Sequence, residues 1–199
     1  TSQNRIVYQF IDGQLGINKI SISDPDGLNW KTLQNIRMEN VRLFWPKQDL
    51  IAILTAPSGL VKGSLLTTNA NGGSLVRVLG DLFGLTVQYS SDGNFLLYSM
   101  TDQGGHSPSL HLLKDGDANP QNLQINTISD KCAFSQNNNI YCAVPSVTNG
   151  SLVLPDDFYK NIANFSDSFF KIDTQNNRSF SLFDSSFIKG LGYDFNVSD

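Results

Sequence analysis

Short apolar runs alternate with polar turns along almost the whole chain. The clearest instance is LTVQYSSDGNFLLYS, residues 85–99, where two strand-forming runs flank Ser90-Ser91-Asp92-Gly93-Asn94. Asp and Gly accept the positive φ of a tight connection, so this pattern predicts a β-hairpin. VRLFWPKQDLIAILT (41–55) repeats it with a turn at Trp45 to Asp49, and KCAFSQNNNIYCAVP (131–145) with a turn at Ser135 to Asn139. Further strands are expected near 18–23, 29–33, 64–68, 74–79, 109–113, 121–125, 168–173 and 179–183, separated by turns rich in Asp, Asn and Gly.

Trp45, Tyr89 and Phe134 lie 44 and then 45 residues apart. A period of roughly 40–45 residues carrying four strands is that of a propeller blade. Residues 1–10 read as the second half of a hairpin unit, and Phe195 to Asp199 resemble Thr86 to Asp92, so both ends cut the repeat at one phase. Such an offset lets a last strand complete a first blade and removes a bare edge. The expectation is an all-β chain, a single β-propeller domain or propeller fragment over 1–199 with about four four-stranded blades. It forms a complete four-bladed ring or part of a larger seven- or eight-bladed one, self-association being a further route to closure. An insertion interrupts the fourth repeat at about 146–165, and Asp156 to Asn164 predicts a short helix capped by an acidic residue.

Composition agrees with strands and turns. Among 18 acidic residues only Glu39 is Glu, and strong helix formers are scarce. A net charge of −4, with no two adjacent Lys or Arg, makes nucleic acid an unexpected partner. No stretch approaches the ~18 apolar residues of a membrane span. The sequence begins at Thr1 rather than Met, which is compatible with a removed N-terminal segment. Cys132 and Cys142 fall on the two arms of one predicted hairpin; two half-buried thiols are the simpler reading, and near-opposite positions leave a disulfide open. Their spacing without companion His or Cys does not suit zinc.

The turns resemble those of the TolB-like or WD40-like (PD40) β-propeller repeat, whose first turn is W-S-P-D-G. Trp45-Pro46-Lys47-Gln48-Asp49, Tyr89-Ser90-Ser91-Asp92-Gly93 and Phe134-Ser135-Gln136-Asn137-Asn138 stand at that turn, none holding all five residues. Asp24-Pro25-Asp26-Gly27, Asn69-Ala70-Asn71-Gly72 and Lys114-Asp115-Gly116-Asp117 stand at the family's second turn. The resemblance covers essentially the whole chain. It implies a propeller, frequently an extracytoplasmic (periplasmic or cell-surface) interaction module, and no reaction.

Constellations for chemistry are thin. Ser23 to Trp30 is similar to an Asp-box but carries Pro25 and Asn29 at two of its positions, and that motif is itself a structural turn. The histidines are His106 and His111, and Gly104 to Ser109 lacks the G-x-S-x-G elbow of a serine hydrolase. Asp115, Asp117 and Asn119 alternate as in calcium loops, but Pro120 and Asn126 replace the Gly and Glu that would complete one. Asp156-Asp157 read as a helix start rather than a catalytic pair. Asn149, Asn164, Asn177 and Asn196 open N-x-S/T sequons, which matter only in a secretory eukaryote.

The aromatic residues Phe158, Tyr159, Phe165, Phe169 and Phe170 concentrate in and after the insertion. They pack the insertion onto a blade or present a patch for an unknown protein partner, as loop-borne aromatics on rigid scaffolds do. The sequence therefore predicts a non-catalytic protein-interaction or scaffold module, not an enzyme, with no cofactor and no metal. A glycan-binding or glycosidase-like propeller using the central channel mouth is the alternative.

Overall fold

A computed structural model describes residues 4–146, 151–176 and 178–183. Among the described residues antiparallel strands lie in sheets of three, seven and four strands, and successive groups of them are labelled blades I to IV. Blade I comprises β1 (Ile6–Asp12), β2 (Ile17–Ser23) and β3 (Lys31–Asn35). Blade II comprises β4 (Arg42–Lys47), β5 (Leu50–Leu54), β6 (Gly63–Asn69) and the first half of β7 (Val76–Tyr89). The second half of β7 opens blade III, followed by β8 (Phe95–Thr101), β9 (Ser109–Lys114) and the short β10 (Gln121–Asn122). Blade IV holds β11 (Cys132–Phe134), β12 (Ile140–Pro145), β13 (Asp167–Asp173) and β14 (Arg178–Phe183), with helix α1 (Asp156–Tyr159) in the connection between β12 and β13.

The expected strands are present, with instructive departures. Residues 74–79 and 85–89 were expected as separate strands, yet β7 runs through both and pairs with β6 on one half and β8 on the other. Asp81 and Gly84 carry φ of 61° and 63° where it changes sheets. A Cβ at position 84 would sit 2.4 Å from the Thr101 side chain, so glycine is required there. In blade II the turn shrinks to Gln48-Asp49, because Lys47 already pairs with Leu50 and the register shift between Phe44 and Lys47 takes up Trp45 and Pro46. Proline has no N–H to give a ladder and is tolerated at such an irregularity. The strand expected at 121–125 stops at Asn122 because Gln124 is left-handed at φ 56°, although Leu123 and Ile125 stay buried. The helix expected over 156–164 ends at Tyr159, ahead of Asn161 at φ 56°. The segment 193–199 lies outside the described residues.

Turn chemistry repeats as the pattern predicts. Ser90 N–H donates to Phe95 O and Gly93 N–H to Ser90 O; in blade IV, Ser135 N–H donates to Asn139 O and Asn138 N–H to Ser135 O. Neighbouring turns also touch, since Asn138 donates from Nδ2 to Asp92 Oδ2 at 3.1 Å. A Cβ on Gly93 would fall 2.6 Å from Pro46 O.

Three apolar cores join successive blades. Ile20, Ile22 and Leu33 of blade I meet Ile51 and Ile53 of blade II. Ala52, Leu54 and Leu65 meet Leu85, Val87 and Tyr98 of blade III. Leu97, Leu110 and Leu112 meet Ile140, Cys142 and Ile172 of blade IV. β5 is buried on both faces, which explains why Ile51-Ala52-Ile53-Leu54 reads as a continuous apolar run rather than an alternating one. Truncating Ile53 to Ala there costs about 2–5 kcal/mol.

Cys132 and Cys142 pair directly across the β11–β12 hairpin and form a disulfide, with 4.0 Å between their Cα atoms. The simpler reading of two free thiols is thereby corrected. Short spacing along the sequence left their registry open, and registry decides the bond.

Candidate functional site

The insertion crosses three blades on one face of the stack. Its backbone meets the loop that joins second to third strand in blade III, Leu154 N–H donating to Gly105 O at 2.8 Å, and that loop meets its counterpart in blade II, Gly104 N–H donating to Gly59 O at 3.3 Å. Approach is at backbone contact, because a Cβ on Gly59 would lie 2.4 Å from both Gly105 Cα and Leu154 O. The carboxylate of Asp156 accepts Gly59 N–H at 2.7 Å and the Ser58 hydroxyl at 3.0 Å. Asp157 accepts Val153 N–H at 2.8 Å. These adjacent carboxylates stand in the first turn of α1, as read from sequence; the N-cap position is Pro155, without a side-chain cap, and Asp156 in addition holds the blade II loop.

The five aromatic candidates divide into two groups, all half-buried. On α1, Phe158 stands 5.7 Å from Tyr159 and 6.4 Å from Phe165 between ring centres. On β13, Phe170 packs into the core between blades III and IV, while Phe169 points to the opposite sheet face and packs on Phe183 at 4.7 Å. The first three therefore share a neighbourhood that the last two do not.

Charged residues missed by the sequence reading complete that neighbourhood. Tyr159 OH donates to Asp130 Oδ2 at 2.7 Å, and Arg42 Nη1 donates to the same oxygen at 2.8 Å. The guanidinium lies 4.3 Å from the centre of the Tyr159 ring, a cation–π stack. Burial works against the Arg42 charge, but the Asp130 carboxylate and the Tyr159 oxygen outweigh it and raise its pKa. Burial, then the Asp130 charge, push the Tyr159 phenol well above its ordinary range. Lys131 grips both oxygens of Asp167 at 2.6 and 2.7 Å and sits 3.8 Å from the centre of the Phe165 ring. Burial lowers its pKa despite that partner.

Beside this network lies an open cavity of about 600 Å³, lined by Arg42, Leu43, Phe44, Val87, Gln88, Asp130 and Phe158. The lining comes from the first strands of blades II and III and the 3₁₀ turn Ser129–Lys131 that leads into β11. The cavity thus lies against β4 and the second half of β7, with Phe158 of α1 in its wall. Gln88 is half-exposed and its amide has no hydrogen-bond partner among the described residues. An ion pair without net charge, a free amide and two aromatic rings suit a neutral ligand with both donors and acceptors.

Other residues singled out by type are engaged elsewhere. His106 Nδ1 lies 2.9 Å from Leu152 O, and His111 stacks on Tyr98 at 5.1 Å with Nε2 3.1 Å from Ser109 Oγ. Thr86, Ser99 and Ser129 form a buried hydroxyl trio, with Thr86 Oγ1 2.7 and 2.6 Å from the two serine oxygens. Asp115 is bonded to Lys47, and no group of three or more metal-ligating side chains occurs among the described residues. Asp24 accepts Asn29 Nδ2 at 2.7 Å within the turn that follows β2.

The fold is that of a β-propeller. Among solved structures it is similar to TolB from Acinetobacter baumannii, with TM-score 0.58 and 12% identity over 91% of this chain and 41% of that one. An oligogalacturonate lyase in complex with manganese gives TM-score 0.60 and 10% identity over 84% and 42%. The propeller domain of the Trilobed protease from Pyrococcus furiosus, described as an open velcro topology, gives 0.55 and 9% over 90% and 53%. The chain thus spans about two fifths to half of these structures' own length. No family model and no curated protein matches it.

Proposed function

We propose that this chain is a non-catalytic propeller segment that binds a protein partner through the cavity beside β4 and β7 and the adjoining insertion. The observation that carries the reading is the contrast between occupied and unoccupied groups. The carboxylates and imidazoles that sequence offered for chemistry are tied into structural hydrogen bonds, whereas Gln88, Phe44 and Phe158 line open space. A polypeptide segment supplies the amide donors, acceptors and apolar side chains that such a lining accepts. The disulfide supports an extracytoplasmic compartment, where thiols are oxidised. Among the described residues no helix is long and apolar enough to cross a membrane.

Sugar recognition is the second reading, favoured by two aromatic rings flanking an amide and an ion pair in one cavity. Peptide and glycan arrays probed with the chain and with Q88A and F158A variants separate the two. Peptide binding lost in both variants supports a protein partner. Saturable sugar binding with the same loss sinks that reading, and binding indifferent to both substitutions removes the cavity from either.

A further inference from the structure

A second, smaller cavity of about 150 Å³ opens where blades III and IV meet, and it shares no lining residue with the one beside β4 and β7. Asn122, Leu123 and Gln124 line it from the end of β10, and Ile172, Arg178 and Ser179 from β13 and β14. Leu123 and Ile172 belong to the core between the two blades, so the cavity lies at the margin of that core and the other four residues supply its polar side chains. These offer mainly donors. Asn122 Oδ1 accepts Gln124 N–H at 2.7 Å, which orients the amide and leaves its Nδ2 hydrogens without a partner among the described residues. Gln124 holds a left-handed φ of 56°, uncommon for a residue with a side chain, and such outliers gather at ligand sites. The Gln124 amide, the Ser179 hydroxyl and the Arg178 guanidinium are likewise without side-chain hydrogen bonds among the described residues. Arg5, Arg42 and Arg77 each have a carboxylate within 3.8 Å; Arg37 and Arg178 have none among the described residues, and Arg178 lines a cavity. Asp173, the cross-strand partner of Arg178, commits its carboxylate to its own turn, accepting Gln175 and Asn176 N–H at 2.9 and 3.1 Å and Asn176 Nδ2 at 2.9 Å.

We propose that this cavity binds a phosphate or sulfate group. A guanidinium with uncommitted donors around it and no carboxylate in the lining favours an anion over a cation or a sugar. The three or four oxygens of a tetrahedral oxyanion take the guanidinium fork, the two amides and the hydroxyl together, whereas a carboxylate has only two oxygens to offer. The volume is several times the ~30 Å³ of one water and well short of the roughly 300–1,000 Å³ of sites for drug-sized ligands, so it suits an ion of this size. With Asn122 and Gln124 on one side and Arg178 and Ser179 on the other, the bound group bridges blades III and IV where the β10 ladder has ended.

The test is titration of the 199-residue chain with sodium phosphate at neutral pH and constant ionic strength, read by NMR at the Arg178 Nε–H and the Asn122 and Gln124 side-chain amides. Sodium sulfate, phenyl phosphate and sodium acetate serve as further probes. Saturable shifts at all three groups with a Kd at or below about 1 mM are expected for phosphate and sulfate, and acetate is expected to bind at least roughly tenfold more weakly. R178Q and N122D are each expected to weaken phosphate roughly 10- to 150-fold, the range spanned by hydrogen bonds to a charged group. N122D keeps an oxygen for Gln124 N–H, so the turn survives while a donor gives way to a repelling charge. R37Q is expected to change nothing. Phenyl phosphate binding as tightly as the inorganic ion shows that the site takes a group borne on a larger molecule, and weaker binding restricts it to the free ion; either supports the site. Shifts that stay linear to about 20 mM, binding unchanged in R178Q or equally weakened in R37Q, or acetate matching phosphate would mean an adventitious ion only and overturn the proposal.

Discussion

Replacing Asp156 with Ala removes the carboxylate that fastens the insertion to the Ser58–Gly59 loop of blade II, and its effect can be worked out in advance. Two hydrogen bonds are lost, from Gly59 N–H and from the Ser58 hydroxyl. Bonds to a charged acceptor contribute about 1.5–3 kcal/mol each, and solvent screening at a half-buried carboxylate draws the pair down to about 2–4 kcal/mol. That energy resists local opening of the loops rather than global unfolding, since none of the three inter-blade cores includes Asp156. Hydrogen exchange at the Gly59, Gly104 and Leu154 amides is expected to accelerate roughly 30- to 800-fold, at 1.4 kcal/mol per factor of ten, with little change in the urea midpoint. G59A opens the same contact sterically, and D156A/G59A is expected to exchange no faster than the faster single variant, because both break one junction. Unchanged exchange in D156A, or effects that multiply in the double variant, would refute the idea of a single fastening.

Reducing the Cys132–Cys142 bond, whose partners lie ten residues apart, is expected to cost about 3 kcal/mol in urea unfolding; an unchanged midpoint under reductant argues against it. Hydrogen bonds from Ser90 and from Asn94 N–H hold the Asp92 pKa well below the usual carboxylate range, so its stabilisation is present above the unfolded value near ~3.9 and fades as pH falls below that. The stability gap between wild type and D92N is therefore expected to be wider at neutral pH than in acid, and an equal gap at both would count against this. Burial, then the Asp115 charge, push the Tyr89 phenol up to about 12, so folding stability falls as pH rises from the unfolded value near ~10 through the folded one. Y89F removes that loss, which alkaline unfolding curves of the two proteins would reveal; parallel curves refute it.

Local features were legible in the sequence and distant ones were not. The 85–99 hairpin could be read because Ser90, Asp92 and Gly93 act within a few residues of one another, and the 44- and 45-residue spacing followed from such turns. The continuity of β7 could not, because the Asp81 and Gly84 that mark its passage look like ordinary turn residues until a neighbouring sheet is placed beside them. The candidate site was half visible. Phe158 and Tyr159 stood out by type, but Arg42 finds Asp130 across 88 residues and Asp156 finds Gly59 across 97, distances over which no periodicity carries information. Asp130 itself resembles any other loop aspartate until the stack brings β4 beside it.

β7 also bears on how the molecule comes apart. Blades in a repeat structure ordinarily unfold as separable units coupled through their contacts. Here one 14-residue strand is the last strand of blade II and the first of blade III, so neither sheet can dissolve without releasing a ladder partner of the other. Blades II and III therefore form one cooperative block, and partial unfolding begins at blade I or blade IV. A force applied between the chain ends would peel the flanking blades first and meet the paired block last.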